Sequence, residues 1–238
     1  MQYLIGNWKM NGSWESLRAM EAALDGMSYP SERWVGLALP FPYLGGAEGK
    51  YHLGAQNVHG ETAGAYTGEV SAAMLRDCDV SFCLVGHSER RSQFGEGGVT
   101  LRGKIEALLA SGIRPLLCLG ESQEERASGV VKETLQGQLE EALLGLQGEW
   151  RGNILLAYEP RWAIGSGKIP DLGDIEEAHA HCGEWVERQG GEGIPILYGG
   201  SVDAGNAAKL CGVRGVSGLL VGGASLKPES FCRIIQSL

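Results

Sequence analysis

Three side chains of complementary chemistry stand at the ends of apolar runs. Lys9 follows Gly6-Asn7-Trp8, His87 follows Phe82-Cys83-Leu84-Val85-Gly86, and Glu159 closes the run from Asn153 to Tyr158. Brought together they supply a cation for a developing oxyanion, a hydrogen-bond donor for a carbonyl, and a base for a carbon-bound proton. That set fits proton abstraction next to a carbonyl, with electrostatic stabilisation of the enediolate. It fits a two-carboxylate glycosidase less well, because Glu159 lacks an evident acid partner. A phosphosugar aldolase would want a Schiff-base lysine deep on a strand, and no run carries one. Singly, each residue also has a bland reading as a strand-end carboxylate, a structural histidine or a surface lysine. Ser88 begins a candidate helix directly after His87, and a helix N-terminus there would favour the neutral imidazole.

Two glycine-rich turns add a second kind of chemistry. Tyr198-Gly199-Gly200-Ser201-Val202 and Val221-Gly222-Gly223-Ala224-Ser225 end the seventh and eighth apolar runs. Exposed backbone N–H groups at such turns bind a phosphate without a basic side chain. That matters because the chain carries 20 Lys+Arg against 29 Asp+Glu, a net charge of −9. An anionic ligand therefore meets an unfavourable global field, and its pocket must supply local positive potential. The same charge argues against nucleic acid and anionic membrane as partners. Beyond Glu159, Pro160-Arg161-Trp162-Ala163-Ile164-Gly165-Ser166-Gly167-Lys168 reads as a glycine-closed lid, with Pro160 stiffening the exit from the strand.

The elements that position these groups follow from periodicity. Continuous apolar runs at Tyr3–Lys9, Val35–Pro40, Leu53–Val58, Ser81–His87, Pro115–Gly120, Asn153–Glu159, Ile194–Gly200 and Gly218–Gly223 suit strands of a parallel sheet buried on both faces. Between them Leu101, Ile105, Leu108 and Leu109 keep helical spacing, as do Leu135, Leu139, Ala142, Leu143 and Leu146. Ile175, Ala178, Cys182, Trp185 and Val186 repeat it, and Pro228 announces a last helix with Phe231, Ile234 and Ile235. Repeated β-α units without a break in composition predict one α/β domain over 1–238, a (β/α)8 barrel, with a doubly wound open sheet as the alternative. Gly45 to His52 is too short and glycine-rich for a full crossover, so a shortened second helix is expected there. In such a barrel active groups gather at the C-terminal strand ends, and phosphate sits after strands seven and eight.

Other signals carry less. Gly98 to Lys104 spells a P-loop pattern, but Ile105 replaces the required Ser or Thr and the segment reads as helix. His179, His181 and Cys182 face different ways on a helix, so no metal site is expected there or at His52 and His59. The six cysteines make no CxxC pair, and no leader segment or spanning run is seen. Reduced thiols in the cytoplasm are therefore expected, and the Asn11-Gly12-Ser13 glycosylation pattern is discounted.

Taken together, the motifs resemble the triosephosphate isomerase family throughout the chain. The resemblance rests on Gly6-Asn7-Trp8-Lys9-Met10-Asn11, Gly54-Ala55-Gln56-Asn57, Gly64-Ala65-Tyr66-Thr67-Gly68-Glu69, Gly86-His87-Ser88-Glu89-Arg90-Arg91, the Tyr158 to Gly167 stretch and the two glycine turns. It implies a TIM barrel that interconverts dihydroxyacetone phosphate and D-glyceraldehyde 3-phosphate in glycolysis and gluconeogenesis, without metal or cofactor. It further implies Glu159 as proton shuttle, His87 polarising the carbonyl, and Lys9 stabilising the enediolate. Asn7, Gly165, Ser201, Gly222 and Gly223 would bind substrate or its phosphate, and Glu89, Ser88 and Cys118 would support them. It implies a homodimer in which the loop around Thr67 enters the neighbouring subunit, with Asn11, Glu69, Arg90, Phe94 and Glu96 at or near the contact. A non-catalytic phosphosugar-binding barrel, or another phosphosugar enzyme, is the alternative. The chain departs from the family at Arg161, where Val is usual, at Ser166, where Thr is usual, and at Pro170, where Ala is common.

Overall fold

Side chains that alternate inward and outward along short strands set the architecture. The computed structural model describes residues 2–30, 32–146, 150–164 and 170–238. In chain order its strands are β1 (Gln2–Asn7), β2 (Arg33–Leu39), β3 (His52–Ala55), β4 (Phe82–Val85), β5 (Arg114–Leu119), β6 (Leu155–Tyr158), β7 (Ile196–Tyr198) and β8 (Gly218–Val221). Each pairs in parallel with the next and β8 returns to β1, closing the barrel. The helices are α1 (Trp14–Asp25), α2 (Phe41–Leu44), α3 (Ala72–Asp77), α4 (Ser88–Phe94), α5 (Gly98–Ala110), α6 (Gln123–Ala127), α7 (Val131–Leu143), α8 (Leu172–Arg188), α9 (Ala207–Cys211) and α10 (Pro228–Gln236). No helix among the described residues is long and apolar enough to cross a membrane.

Tyr3, Ile5, Phe82, Leu84, Leu116, Cys118, Leu155 and Ala157 fill the barrel interior, while Leu4, Cys83, Leu117 and Leu156 pack outward against the helices. Both faces of the sheet are thus apolar, which is why the strands read as unbroken runs. The helical faces expected from the sequence are buried in α5, α7, α8 and α10, except that Leu109 is only partly buried and Leu146 lies beyond the end of α7 at Leu143. Closure is tight at Gly218, where a Cβ would lie 2.0 Å from the Tyr3 carbonyl oxygen. Lys104, the end of the false P-loop pattern, lies in α5 and bonds Asn57 Oδ1 at 2.6 Å and the Glu96 carboxylate.

The second crossover differs in place from the expectation. Its helix is one turn at Phe41–Leu44, directly after β2 with a proline at its start, and no helix forms between Gly45 and His52. Backbone groups that a helix would have satisfied are tied to α1 instead. Buried Glu21 accepts from Glu48 N (2.6 Å), Tyr51 Oη (3.0 Å) and Arg18 (2.7 Å), and Asp25 accepts from Lys50 N (3.2 Å).

A cavity of about 920 Å³ opens at the N-terminal end of the barrel, lined by Trp34, His52 and Arg114. Trp34 and His52 stack there with ring centroids 4.0 Å apart. It lies at the opposite end of the strands from Lys9, His87 and Glu159, which restricts those three to a separate, smaller cavity.

His179 is buried in α8, and its Nδ1 donates to the Ile175 carbonyl at 2.8 Å, so it is a core group. Burial pushes its imidazole pKa down from the usual 6.5 to about 4. Below pH 6.5 the unfolded chain binds a proton that the folded chain refuses, so stability is lost as pH falls from 6.5 toward 4. In urea titrations from pH 7 to 5, the stability advantage of the parent over His179→Gln is expected to shrink by about 1.4 kcal/mol per pH unit below pH 6. A constant difference across that range would contradict this.

Candidate active site

Asn7 continues the inward register of Tyr3 and Ile5 and is buried at the end of β1. Two residues on, Lys9 adopts φ 53°, a left-handed conformation that costs a non-glycine residue on the order of 1 kcal/mol. Neighbouring polar groups hold it there. Asn7 Oδ1 accepts from Lys9 N (3.0 Å), Gln56 Nε2 donates to the carbonyls of Lys9 and Ala38 (2.9 Å each), and Asn11 Nδ2 donates to the Trp8 carbonyl (2.9 Å). The Trp8 indole is anchored on the Ser225 carbonyl, in the turn after the neighbouring strand β8 (3.1 Å). The ammonium meets Glu89 Oε1 at 2.6 Å, with side chains 26% and 42% exposed. A pair that open contributes under about 1 kcal/mol, so an incoming anion can recruit Lys9 cheaply.

After β4, Gly86 at φ 67° turns the chain, and His87 becomes the N-cap of α4. Its Nδ1 accepts the Glu89 N–H at 3.3 Å. A nitrogen that accepts carries no proton, so this hydrogen bond selects the neutral tautomer protonated on Nε2. Nε2 lies 3.2 Å from Glu159 Oε1, while Glu159 Oε2 accepts the Ser88 N–H at 3.1 Å. His87 and Glu159 are both almost fully buried. The N-terminus of α4 thereby fastens the carboxylate and sets the imidazole in one stroke.

Glu159 itself extends the inward register of Leu155 and Ala157 by one step. Its N–H donates to the Leu119 carbonyl (2.7 Å), and Gly199 N donates to the Tyr158 carbonyl (2.8 Å). Two glycines make room for it: a Cβ at Gly120 would fall 1.8 Å from the Glu159 carbonyl oxygen, and one at Gly199 would fall 2.9 Å from its Cγ. Burial, with the Glu159 charge second, pushes the adjacent Cys118 thiol well above its ordinary value, so it is neutral packing beneath the carboxylate. Arg91 ties this floor together by donating to the carbonyls of Gly86 (2.8 Å) and Cys118 (3.0 Å).

Asn7, Lys9, His87, Glu159, Ser201, Gly222 and Gly223 line one cavity of about 290 Å³. The Gly223–Leu226 turn starts at its rim. Ser201 Oγ donates to the Ala163 carbonyl (2.8 Å), which links the seventh-strand turn to the segment after Glu159. Gly165, with Ser166, Gly167 and Lys168, lies outside the described residues. Pro170 is described and buried.

Asn11, Thr67, Glu69 and Phe94 are exposed on a neighbouring face. Arg90 and Glu96 back it: Arg90 Nε meets Glu96 Oε1 at 2.5 Å, and buried Glu96 turns inward to Lys104. Gln56, Arg91 and Gly120 are parts of the site to which sequence reasoning assigned no role, and Gly199, read there as part of a phosphate turn, also makes room for Glu159. For Gly120 the one available signal was its position next to a strand end.

A family profile described as triosephosphate isomerase matches residues 2–238. Triosephosphate isomerase of Ruegeria sp. (strain TM1040) is 44% identical over 239 residues, 98% of this chain and 96% of that protein. That of Rhizobium meliloti (strain 1021) is 42% identical over 98% of this chain and 94% of its own length. A crystal structure of triosephosphate isomerase from Bartonella henselae superposes with a TM-score of 0.88 at 36% identity, covering 99% of this chain and 98% of that one.

Gly199→Ala tests the seat of Glu159. The variant is expected to fold, to move the carboxylate off the Ser88 N–H, and to lose turnover by about 100-fold, as a misplacement near 1 Å does. Parent-like turnover with an intact fold would sink this reading of Gly199.

Proposed function

The chain belongs to the triosephosphate isomerase family, and we propose that its interconversion of dihydroxyacetone phosphate and D-glyceraldehyde 3-phosphate runs through Glu159 as base, His87 as hydrogen-bond donor and Lys9 as cation. The activity is a step of glycolysis, and the reverse direction serves gluconeogenesis. The observation that carries the assignment is the 3.2 Å approach of His87 Nε2 to Glu159 Oε1 beside Lys9 in one cavity.

The chemistry follows from those contacts. Substrate carbonyl oxygen takes over the Nε2–H that Glu159 occupies in this conformation, which frees the carboxylate for the substrate carbons. Glu159 removes a proton from C1 of dihydroxyacetone phosphate, and the C–H electron pair moves into the C1–C2 bond as charge builds on the carbonyl oxygen. His87 Nε2–H and the Lys9 ammonium stabilise that charge. Transfer of the hydroxyl proton from O1 to O2, and delivery of the Glu159 proton to C2 as the O1 electron pair forms the C1 carbonyl, completes the aldose. Asn7 acts chiefly by holding Lys9 through Oδ1. The phosphate is assigned to Ser201, Gly222 and Gly223, with Gly165 from outside the described residues. In this assignment Ser201 exchanges its bond to Ala163 for the phosphate, so ligand binding and the segment after Glu159 are coupled. Closure of Trp162 to Ser166 over the site would exclude water and discourage phosphate loss.

The working unit is proposed to be a homodimer of the single 1–238 domain, in the cytoplasm, with its six free cysteines reduced. Met10 (95% exposed) and Phe94 (64%) flank a cavity of about 520 Å³ that shares Lys9, His87 and Glu89 with the active site. The wholly exposed loop 61–69, braced by Tyr66 against His59 at 4.2 Å, is the segment proposed to fill it from a second copy. A partner seated there would immobilise Lys9.

In a coupled assay the parent is expected to be active and Glu159→Gln to lose at least about 1000-fold in kcat, since removing the base removes the proton-transfer route. An inactive parent, or an active Glu159→Gln, would overturn the assignment. In sedimentation equilibrium the parent is expected as a dimer, and Phe94→Glu as largely monomer with reduced turnover. A monomeric, fully active parent would contradict the dimer.

A further inference from the structure

We propose that Arg161 is a positioning residue for Glu159, acting through its ion pair with Glu125. The inference rests on Glu159 being the base. Pro160 separates Glu159 from Arg161 and has no N–H, so the chain leaving the base cannot be fastened there through a backbone donor, and its carbonyl accepts within the turn, from Ala163 N at 2.8 Å. Arg161 fastens it twice. Its backbone N–H donates to the Glu121 carbonyl at 3.0 Å, and its Nη2 donates to Glu125 Oε2 at 2.9 Å.

Glu125 is well suited to this because its own position is predetermined. The same Oε2 accepts the Ser122 N–H at 2.6 Å, and Ser122 Oγ accepts the Glu125 N–H at 3.2 Å, a reciprocal cap that opens α6. A carboxylate held by its own helix cap presents a fixed acceptor to the guanidinium, so little side-chain freedom is lost when the pair forms. The side chains are 30% and 35% exposed, too open for a large contribution to stability but close enough to bias the position of the backbone.

The far side of the same turn is held by Ser201 Oγ on the Ala163 carbonyl (2.8 Å). A phosphate that recruits Ser201 removes that hold. The Arg161–Glu125 pair then keeps the exit from β6 in place while the carboxylate leaves Ser88 for substrate. Its removal should therefore affect the chemical step more than ground-state binding.

The test is a kcat and KM series in both reaction directions. Arg161→Met and Glu125→Gln are each expected to lower kcat about three- to tenfold with KM within about twofold, Arg161→Lys to retain most of the rate, and the double variant to be no worse than either single. Circular dichroism and thermal midpoints check that the fold is kept, since a purely stabilising pair would move the midpoint without moving kcat. Parent-like kcat in both single variants would overturn the proposal. So would a raised KM in Arg161→Met with a lowered KM in Glu125→Gln, which would mean that the guanidinium attracts the anionic substrate directly. Glu159→Gln in the same series separates the two readings: if it is inactive while the Arg161 and Glu125 variants match the parent, only the positioning role fails.

Discussion

Holding a carboxylate out of water at the end of β6 is the demand that the surrounding structure answers. Glu159 is 2% exposed, and a buried charge without partners costs several kcal/mol. Two donors offset that cost, Ser88 N–H and His87 Nε2–H, and both come from the first residues of one helix. The start of α4 must therefore arrive within hydrogen-bond reach of β6, which the pairing of β4 with β5 and β5 with β6 provides. Space is the second half of the answer. Gly120 and Gly199 leave out the side chains that would occupy the position of the base.

Lys9 poses the opposite problem. Its charge is partly exposed and inexpensive, but its backbone is strained, and Asn7, Gln56 and Asn11 offset that strain with hydrogen bonds. The rigid part is the backbone, and the ammonium, loosely paired with Glu89, is what moves. At Glu159 the roles are reversed: the chain is pinned on both sides and the carboxylate must swing. On a chain of net charge −9, one recruitable cation and the N–H groups of two glycine turns have to supply the local positive potential an anion needs.

Much of this is legible in the sequence because strands buried on both faces read as unbroken apolar runs that stop at polar groups. Runs such as Asn153–Glu159 carry their register to the last residue, so the inward placement of Glu159 follows from Leu155 and Ala157. The start of a helix at Ser88 and the helical stripes of α5, α7, α8 and α10 are legible from local pattern alone. What escaped depends on close approach between distant segments. Gly120 meets Glu159 and Gln56 meets Lys9 across strand ends, and nothing in their own neighbourhoods announces it. The shortened crossover was foreseen, but its single turn lies at Phe41–Leu44 because the prolines there favour an immediate start. The supporting role of Glu21 needed the fold, since its partners lie 27 and 30 positions away.

Two buried glutamates at neighbouring strand ends show what distinguishes a base from a strut. Glu121, beyond β5, is fully buried, and its Oε1 accepts from Arg126 (2.7 Å), Trp162 (2.9 Å) and the Tyr158 hydroxyl (3.1 Å). Burial and the Glu121 charge push the Tyr158 phenol upward, so it remains a neutral donor. With a guanidinium on it and no part in lining the cavity, Glu121 has no contact with the space a ligand would occupy. Among the described residues Glu159 makes no ion pair with a guanidinium, and Arg91 acts on it only from a distance. Its donors are an imidazole and one amide, and they face about 290 Å³ of space sized for a small ligand. A carboxylate held by neutral donors on the wall of a cavity can exchange them for a substrate proton. One locked by a cation behind the wall cannot. The partners of the two residues, more than their burial, favour Glu159 as the proposed base and Glu121 as scaffolding.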